Sequence, residues 1–308
     1  MIRDILKQIE EVDAALGTQQ EPLTDEDAAL RSALLLKRSN LLNECRELSA
    51  EDKVFLARHP RRPKIDEYIG ALFTDFFEQK GDRQCKEDPS ILGGIALYKG
   101  LPVTVIGHRK GSDLASNMTY NFGMPGPEGY RKALRLMKQA EKFGRPVITF
   151  IDTPGAYPGM EAEARGQGEA IARNLAEMSQ LTVPVIAVVT GEGSSGGALA
   201  LGVANKVLML ENAVYSVLSP EGFASILWKD ASRHGEACEI MKLTAQDLFE
   251  FHVADEIVPE PLGGAQLDRG ALFACLDVAL TKNLAFLRKF SGNTLAAQRY
   301  KKYRQIGQ

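Results

Sequence analysis

Two stretches concentrate the residues whose types and spacing suit catalysis. Asp152-Thr-Pro-Gly-Ala-Tyr-Pro-Gly159 follows the apolar run Val147–Ile151, and Thr190-Gly-Glu-Gly-Ser-Ser-Gly-Gly-Ala198 follows the apolar run Val185–Val189. Glycine lets backbone approach a ligand closely. A helix opening near Ser195 presents free N–H groups and partial positive charge. N–H groups arranged in this way stabilise a developing oxyanion. Neither loop offers a nucleophile paired with a base. Ser194 and Ser195 have no assignable histidine partner, and His59, His108, His234 and His252 are scattered and read as structural or surface residues.

A dinucleotide site is the main rival reading. Gly191-Glu-Gly193-Ser-Ser-Gly196 matches GxGxxG, follows a strand and opens a helix, and Glu211 lies 20 residues after Gly191. Against it, the helix between the strands spans roughly eight residues, short for a βαβ crossover. The loop at 152–159 is also left without a role. No Lys-Ser/Thr follows Gly197, which excludes a P-loop. Tight turns with no ligand are the plainest alternative.

The elements that must position these loops follow from hydrophobic period. Ile2, Ile5, Ile9, Val12 and Leu16 keep the rhythm of one helix face. Gly17 is placed to stop that helix, and Pro22 breaks the chain. Thr24 with Asp27 resembles a capping box and starts a second helix. Its expected buried face is Leu30, Leu34, Leu41, Cys45 and Leu48. Residues 1–50 thus predict a helical hairpin. Arg58-His-Pro-Arg-Arg-Pro-Lys64 is a basic, proline-broken link, read either as a solvated connector or as an anion contact.

Gly94–Tyr98 and Val103–Ile106 flank a turn at Lys99-Gly100 and predict a hairpin. Expected helices at 128–143, 165–180 and 195–203 then alternate with strands at 147–151, 185–189, 207–210 and 214–217. Continuous apolar strands between amphipathic helices predict a buried, mostly parallel sheet in an α/β fold. Such sheets bind ligands beyond the carboxyl ends of their strands, so the two loops are expected to face one site. Gly263-Gly264 and a helical tail through Leu267, Leu272, Leu276, Leu280 and Leu287 follow Pro259, and Arg299–Arg304 is basic.

Composition narrows the class. The 308 residues are 44% hydrophobic and 25% charged with net charge −3, so no global field favours nucleic acid or an anionic membrane. No stretch approaches the roughly 20 apolar residues of a membrane span, and Met1-Ile-Arg-Asp-Ile-Leu-Lys7 does not read as a signal peptide. Cys45, Cys85, Cys238 and Cys275 lie far apart without a CxxC pair. They predict reduced thiols in a cytoplasmic protein rather than a zinc ribbon or disulfide framework.

Val183-Pro-Val-Ile-Ala-Val-Val-Thr-Gly-Glu-Gly-Ser-Ser-Gly-Gly-Ala-Leu-Ala-Leu-Gly202 resembles the crotonase superfamily, in which a strand ends in a glycine-rich turn that feeds an oxyanion amide into a short helix. More narrowly, the chain resembles the acetyl-CoA carboxylase carboxyltransferase alpha-subunit family. The matching blocks are Asn121-Phe-Gly-Met-Pro125, Pro127–Met137, Phe150–Gly159, Arg165-Gly-Gln167 and Glu169–Leu175. Further blocks are Tyr215-Ser-Val217, Ser219-Pro-Glu-Gly222, Ala224–Trp228 and Pro259–Ala265. The likeness runs over nearly the whole chain. Residues 111–120 depart from it, lacking the charged residues expected there, and Arg233–Glu236 lies in a variable stretch.

The resemblance implies an α/β, crotonase-like (ClpP/crotonase) spiral of ββα units with an N-terminal helical extension and C-terminal helices. It divides the chain into a hairpin extension at 1–57, a carboxyltransferase core at 58–262 and a helical tail at 263–308. It implies transfer of a carboxyl group from carboxybiotin, held on a separate biotin carboxyl carrier protein, to acetyl-CoA, giving malonyl-CoA for fatty acid biosynthesis. The expected partners are a beta subunit, in an alpha2-beta2 heterotetramer, and a biotin carboxylase that uses the ATP. The beta subunit is expected to carry the zinc ribbon and most acetyl-CoA contacts; this chain is expected to bind no metal, membrane or nucleic acid.

On the same basis the N–H groups of Gly196 and Gly197 are expected to hold the biotin ureido oxygen, with Gly155, Ala156, Tyr157, Gly193 and Ser195 shaping the pocket. Asn121, Glu128, Tyr130 and Arg131 are expected in folding or subunit contacts, and Ser219–Gly222 as a second wall or a plain loop. Two other readings remain open: a hydratase or decarboxylase, which would need a facing pair of acids among Glu161, Glu163 and Glu169, and a non-catalytic scaffold.

Overall fold

The computed structural model describes residues 1–17 and 25–307. Helices α1 (Ile2–Gly17) and α2 (Asp25–Glu44) form the expected hairpin. Ile2, Ile5, Leu6, Ile9 and Val12 of α1 close a small core with Leu41, Cys45 and Leu56. Pro22 and the Thr24 end of the capping box lie outside the described residues. The expected face of α2 is only partly right. Leu30 is 54% exposed, and Leu41 is the buried residue of that helix. Leu34 is half-buried against the cluster around Leu56, and Cys45 and Leu48 join it after α2 has ended.

Helix α3 (Ala50–Ala57), capped by Ser49, and α4 (Ile65–Leu72) flank the basic link. Strands β1 (Thr74–Glu78), β2 (Ile91–Tyr98) and β3 (Leu101–His108) are antiparallel. Positive φ at both Lys99 and Gly100 gives the tight hairpin turn between β2 and β3. Then come α5 (Leu114–Thr119), a 3-10 turn at Asn121–Gly123, α6 (Pro127–Lys142) and β4 (Val147–Thr153). The helix expected at 165–180 is α8 (Gln167–Gln180), and a short helix not expected from the sequence, α7 (Met160–Ala164), precedes it across Gly166, whose φ is +87°.

Strand β5 (Val185–Ser194) leads into α9 (Ser195–Gly202), followed by β6 (Lys206–Leu210) and β7 (Val214–Ser216). Next are α10 (Pro220–Trp228), α11 (His234–Met241), α12 (Ala245–Glu250) and β8 (Glu256–Val258). The tail is two helices, α13 (Arg269–Leu287) and α14 (Gly292–Gln305). By length and apolar composition α13 matches a membrane span, which the sequence reading missed. Its Leu272, Leu276, Leu280, Leu284 and Leu287 are buried in the main core against the sheet.

The sheet runs β1-β2-β3-β4-β5-β6-β8, antiparallel through β3 and parallel from β3 onward. Every residue of β4 is buried, as are Val185–Val189 of β5. That explains why these strands read as unbroken apolar runs rather than alternating ones. Strand β5 serves two neighbours in succession. Ile186–Val189 pair with β6, and Glu192–Ser194 pair with β7 beyond a register shift against β4. This bend turns the end of β5 out of the main sheet and aims the start of α9.

Candidate functional site

The site is built at the bend. Ser195 takes a left-handed φ of 54°, unusual for a residue with a side chain. It turns the chain from β5 into α9 within one residue. Ser194, at the N-cap, makes no side-chain capping bond, so no side chain covers the first N–H groups of α9. Ser195 is exposed, Gly196 half-buried and Gly197 buried.

The two glycine-rich loops do meet, and Gly197 is where they touch. A Cβ there would lie 2.6 Å from the Ala156 nitrogen, 2.7 Å from the Gly155 carbonyl carbon and 2.9 Å from Tyr130 Oη. Gly196 is different, because a Cβ there reaches Ile171 Cγ2 at an ordinary 3.4 Å. Gly155 needs its glycine for another reason, a φ of +141°. Its N–H donates to Thr153 Oγ1 at 3.0 Å. Gln167 Nε2 donates to both Pro125 O and Tyr157 O at 2.9 Å, and Tyr157 N–H donates to Pro125 O at 3.0 Å. The 152–159 loop is thereby clamped to the start of α8 and to the segment leading into α6.

Ser195 and Gly196 open onto a groove of about 470 Å³, walled by Leu199, Tyr215, Val217 and Leu248 and closed by Tyr303 of α14 and Ile306 just beyond it. Gly193 lies behind it, buried against Tyr215. Gly155 and Ala156 brace α9 from the opposite side. Tyr157 faces a separate cleft of about 280 Å³ with Asn121, Glu128 and Arg165. Of the seven expected site residues, then, two line the groove, four pack around the bend and Tyr157 points elsewhere.

A chain of ion pairs underlies the bend. Lys110 Nζ donates to Asp152 Oδ1 and to Glu192 Oε1, each at 2.8 Å. Arg58 bonds Glu192 Oε2 and Glu221 Oε1, also at 2.8 Å. Burial would lower the Lys110 pKa, but Asp152 and Glu192 outweigh it and hold the amine above its usual value. Burial would likewise raise Asp152, but Lys110 and then Lys64 hold it below the usual carboxylate range. Arg62, fully buried, pairs with Glu260 and donates to Thr190 O at 2.5 Å. Of the basic link, Arg62 is neutralised inside the fold, Arg58 is half-buried with both of its partners internal to the chain, and Arg61 stays exposed beside Glu10.

The sequence reading did not single out Lys110 or Glu192. The available signal was positional. Lys110, Asp152 and Glu192 each follow, within a few residues, an apolar parallel strand run. His108, at the end of β3, is buried with neither ring nitrogen hydrogen-bonded, and burial pushes its pKa down to about 4.

Other candidates have internal roles. Glu128 pairs with Arg165 at 2.7 Å and Arg131 with Asp82 at 3.0 Å, fastening α6 to its neighbours. Asn121 Nδ2 donates to Met124 O within its own turn, and Tyr130 is buried behind Gly197. Ser219 caps α10, and Glu221 of the same block closes the ion-pair chain. The divergent stretch 111–120 contains α5, capped by Asp113. Tyr120, at its end, is stacked under Arg109. Glu169 is tied to Arg173, and Glu161 sits beside the Tyr157 hydroxyl. Glu211, the acid of the dinucleotide reading, accepts the Glu260 N–H at 3.0 Å, and α9 has only eight residues. The four cysteines are unpaired thiols. Among the described residues no group of three or more His, Cys, Asp or Glu is placed to hold a metal ion.

The family described as acetyl co-enzyme A carboxylase carboxyltransferase-like matches residues 1–307. The acetyl-coenzyme A carboxylase carboxyl transferase subunit alpha of Geobacillus sp. (strain WCH70) is 54% identical over 305 residues, 99% of this chain and 93% of the relative. That of Anoxybacillus flavithermus is 61% identical over 260 residues, 84% and 80% respectively. Among solved structures, transcarboxylase 12S has a TM-score of 0.59 at 18% identity, over 78% of this chain but only 46% of its own. A Pseudomonas malonate decarboxylase hetero-tetramer in complex with coenzyme A has a TM-score of 0.57 at 18% identity, over 70% and 89%. The geranyl-CoA carboxylase beta subunit of P. aeruginosa scores 0.58 at 14% identity, over 79% and 46%. The structures establish the crotonase-like carboxyltransferase fold, and the close relatives establish the family: this chain belongs to the acetyl-CoA carboxylase carboxyltransferase alpha-subunit family.

Proposed function

We propose that this chain supplies one wall of a carboxyltransferase centre completed by a beta subunit in an alpha2-beta2 heterotetramer. The reaction moves the carboxyl group from carboxybiotin, on a biotin carboxyl carrier protein charged by a biotin carboxylase with ATP, to acetyl-CoA, giving malonyl-CoA for fatty acid biosynthesis in the cytoplasm. The observation that carries this reading is the uncapped N-terminus of α9, set at the mouth of an apolar groove and braced by the second glycine loop.

The donor set fits a ureido oxygen. That oxygen only accepts hydrogen bonds, and backbone N–H groups only donate them. When bound, carboxybiotin supplies the activated carboxyl group, and its ureido oxygen gains negative charge as that group leaves. The Gly196 N–H, at the groove, donates to this oxygen, Gly197 holds the first turn of α9 against the second loop, and the partial positive charge of the α9 terminus favours the oxygen. Leu199, Tyr215 and Val217 give the oxygen an apolar surround, and once the bound group and the beta subunit cover the groove that surround strengthens the bond. Gly155 and Ala156 prevent α9 from backing away. No side-chain nucleophile is required, which agrees with the absence of a Ser–His pair from the reading of both loops.

The test is the reverse reaction, with malonyl-CoA as carboxyl donor and free biotin as acceptor. Biotin-dependent acetyl-CoA release is expected from the mixture of this chain with its cognate beta subunit and from neither subunit alone. Full activity of this chain alone would overturn the shared-site reading. An assembled but inactive complex would leave a scaffold role.

A further inference from the structure

Lys110 holds both glycine-rich loops by their roots. Its Nζ is 2.8 Å from Asp152 Oδ1, and Thr153–Gly159 begins at the next residue. It is also 2.8 Å from Glu192 Oε1, two residues before the N-cap of α9. The side chain is 13% exposed. Asp152 adds a direct link, because its Oδ1 accepts the Glu192 N–H at 3.3 Å. The same oxygen would lie 2.4 Å from a Cβ at Gly191, so the bend packs directly onto this carboxylate. Arg58 fixes the second oxygen of Glu192. The stem of Lys110 is itself held, since a Cβ at Gly123 would come within 2.7 Å of its Cγ.

The consequence is geometric. Without the ammonium, Asp152 and Glu192 become like charges in close proximity, and the roots of the two loops repel. The contact between Gly197 and the Gly155–Ala156 peptide leaves no slack to absorb a shift. We propose that Lys110 is a positioning residue that sets the α9 N-terminus against the 153–159 loop and thereby aims the Gly196 amide; the part concerning aim rests on the carboxyltransferase reading above.

The experiment compares wild type, K110M, K110R and K110M/E192Q in the complex with the beta subunit. For K110M we expect kcat/KM for biotin to fall by roughly ten- to a hundredfold, the upper figure being the cost of a 1 Å misplacement, with KM for malonyl-CoA within about twofold. K110R, which keeps the positive charge between the two carboxylates, is expected to restore most of the loss. K110M/E192Q removes the repulsion but not the lost tether, and it leaves Arg58 with Glu221 as its remaining carboxylate, so thermal stability should recover in part while kcat/KM for biotin does not. Hydrogen exchange read without turnover should quicken in peptides covering 153–159 and 193–198 of K110M and stay unchanged across β2 and β3. Wild-type biotin kinetics with unchanged loop exchange in K110M would overturn the proposal. So would a uniform rise in exchange with equal losses toward biotin and malonyl-CoA. An inactive wild-type complex would refute the carboxyltransferase reading instead, and the loop exchange would still decide whether Lys110 positions the bend.

Discussion

A methyl group added at Gly197 meets the Ala156 nitrogen at 2.6 Å, whereas one added at Gly196 meets Ile171 at 3.4 Å. G197A must push the two loops apart, and overpacking of this kind costs about 1–3 kcal/mol. G196A places a better helix former in the first turn of α9 without a clash. Thermal unfolding should show G197A melting several degrees below wild type and G196A close to it. Inactivity of G197A therefore reports a displaced loop as well as a displaced amide, and Gly196 is the cleaner place to examine the donor. His108 sets a second residue-scale expectation. Its pKa is pushed down from 6.5 to about 4 by burial, so the unfolded chain binds the proton first as pH falls. Neutral His108 contributes fully above about pH 6.5, and that contribution is lost as pH falls toward 4. Linkage gives about 2 kcal/mol between pH 7 and pH 5. In urea titrations His108→Leu should show a flatter loss of stability over that window than wild type, and parallel slopes would refute the assignment.

At the level of elements, α9 is fixed at both ends. The bend and the Gly155–Ala156 contact hold its start. Tyr303 of α14 holds its end, with Oη donating to Gly202 O at 2.8 Å and accepting the Ala204 N–H at 2.9 Å. Y303F leaves both backbone groups unpaired beside buried neighbours, which costs about 1–3 kcal/mol each for a truly unsatisfied group. A lower melting temperature and faster exchange at the C-terminal end of α9 should follow; unchanged exchange there would mean that α14 does not hold the helix. These couplings mark where the sequence ceased to be legible. Apolar strands, glycine loops and the Lys99-Gly100 turn are local patterns, and each was readable. The meeting of the two loops was an inference from strand ends, and Gly197 supplies its contact. The role of Tyr303 depends on partners about a hundred residues away in the chain, and no local period encodes it. Leu30 misled because a helical repeat states which face is apolar, not how far a partner extends along it. Helix α7 went unread because its five residues are too few to show a helical period.

On the scale of the whole molecule, charges that looked like a surface feature join distant parts of the chain. Arg62 reaches Glu260 and Thr190, and Glu260 also accepts the N–H groups of Asn212 and Ala265. Arg58 and Lys110 extend the same logic to the ends of β3, β4 and β5. The basic link was visible in the sequence, but its carboxylate partners were not, because pairing across more than a hundred residues leaves no local pattern. The result is a rigid frame carrying one uncapped helix terminus at an open apolar groove. The central claim is that the Gly196 N–H is a donor to the charged acceptor oxygen. The most direct measurement replaces the Ser195–Gly196 amide by an ester, which removes that N–H and adds no side chain. In the reverse carboxyltransferase assay of the assembled complex, kcat/KM for biotin should fall about 10²–10³-fold, as for loss of one oxyanion donor, with assembly and melting temperature nearly unchanged. Retention of wild-type kcat/KM by a well-formed ester-containing complex would contradict the account.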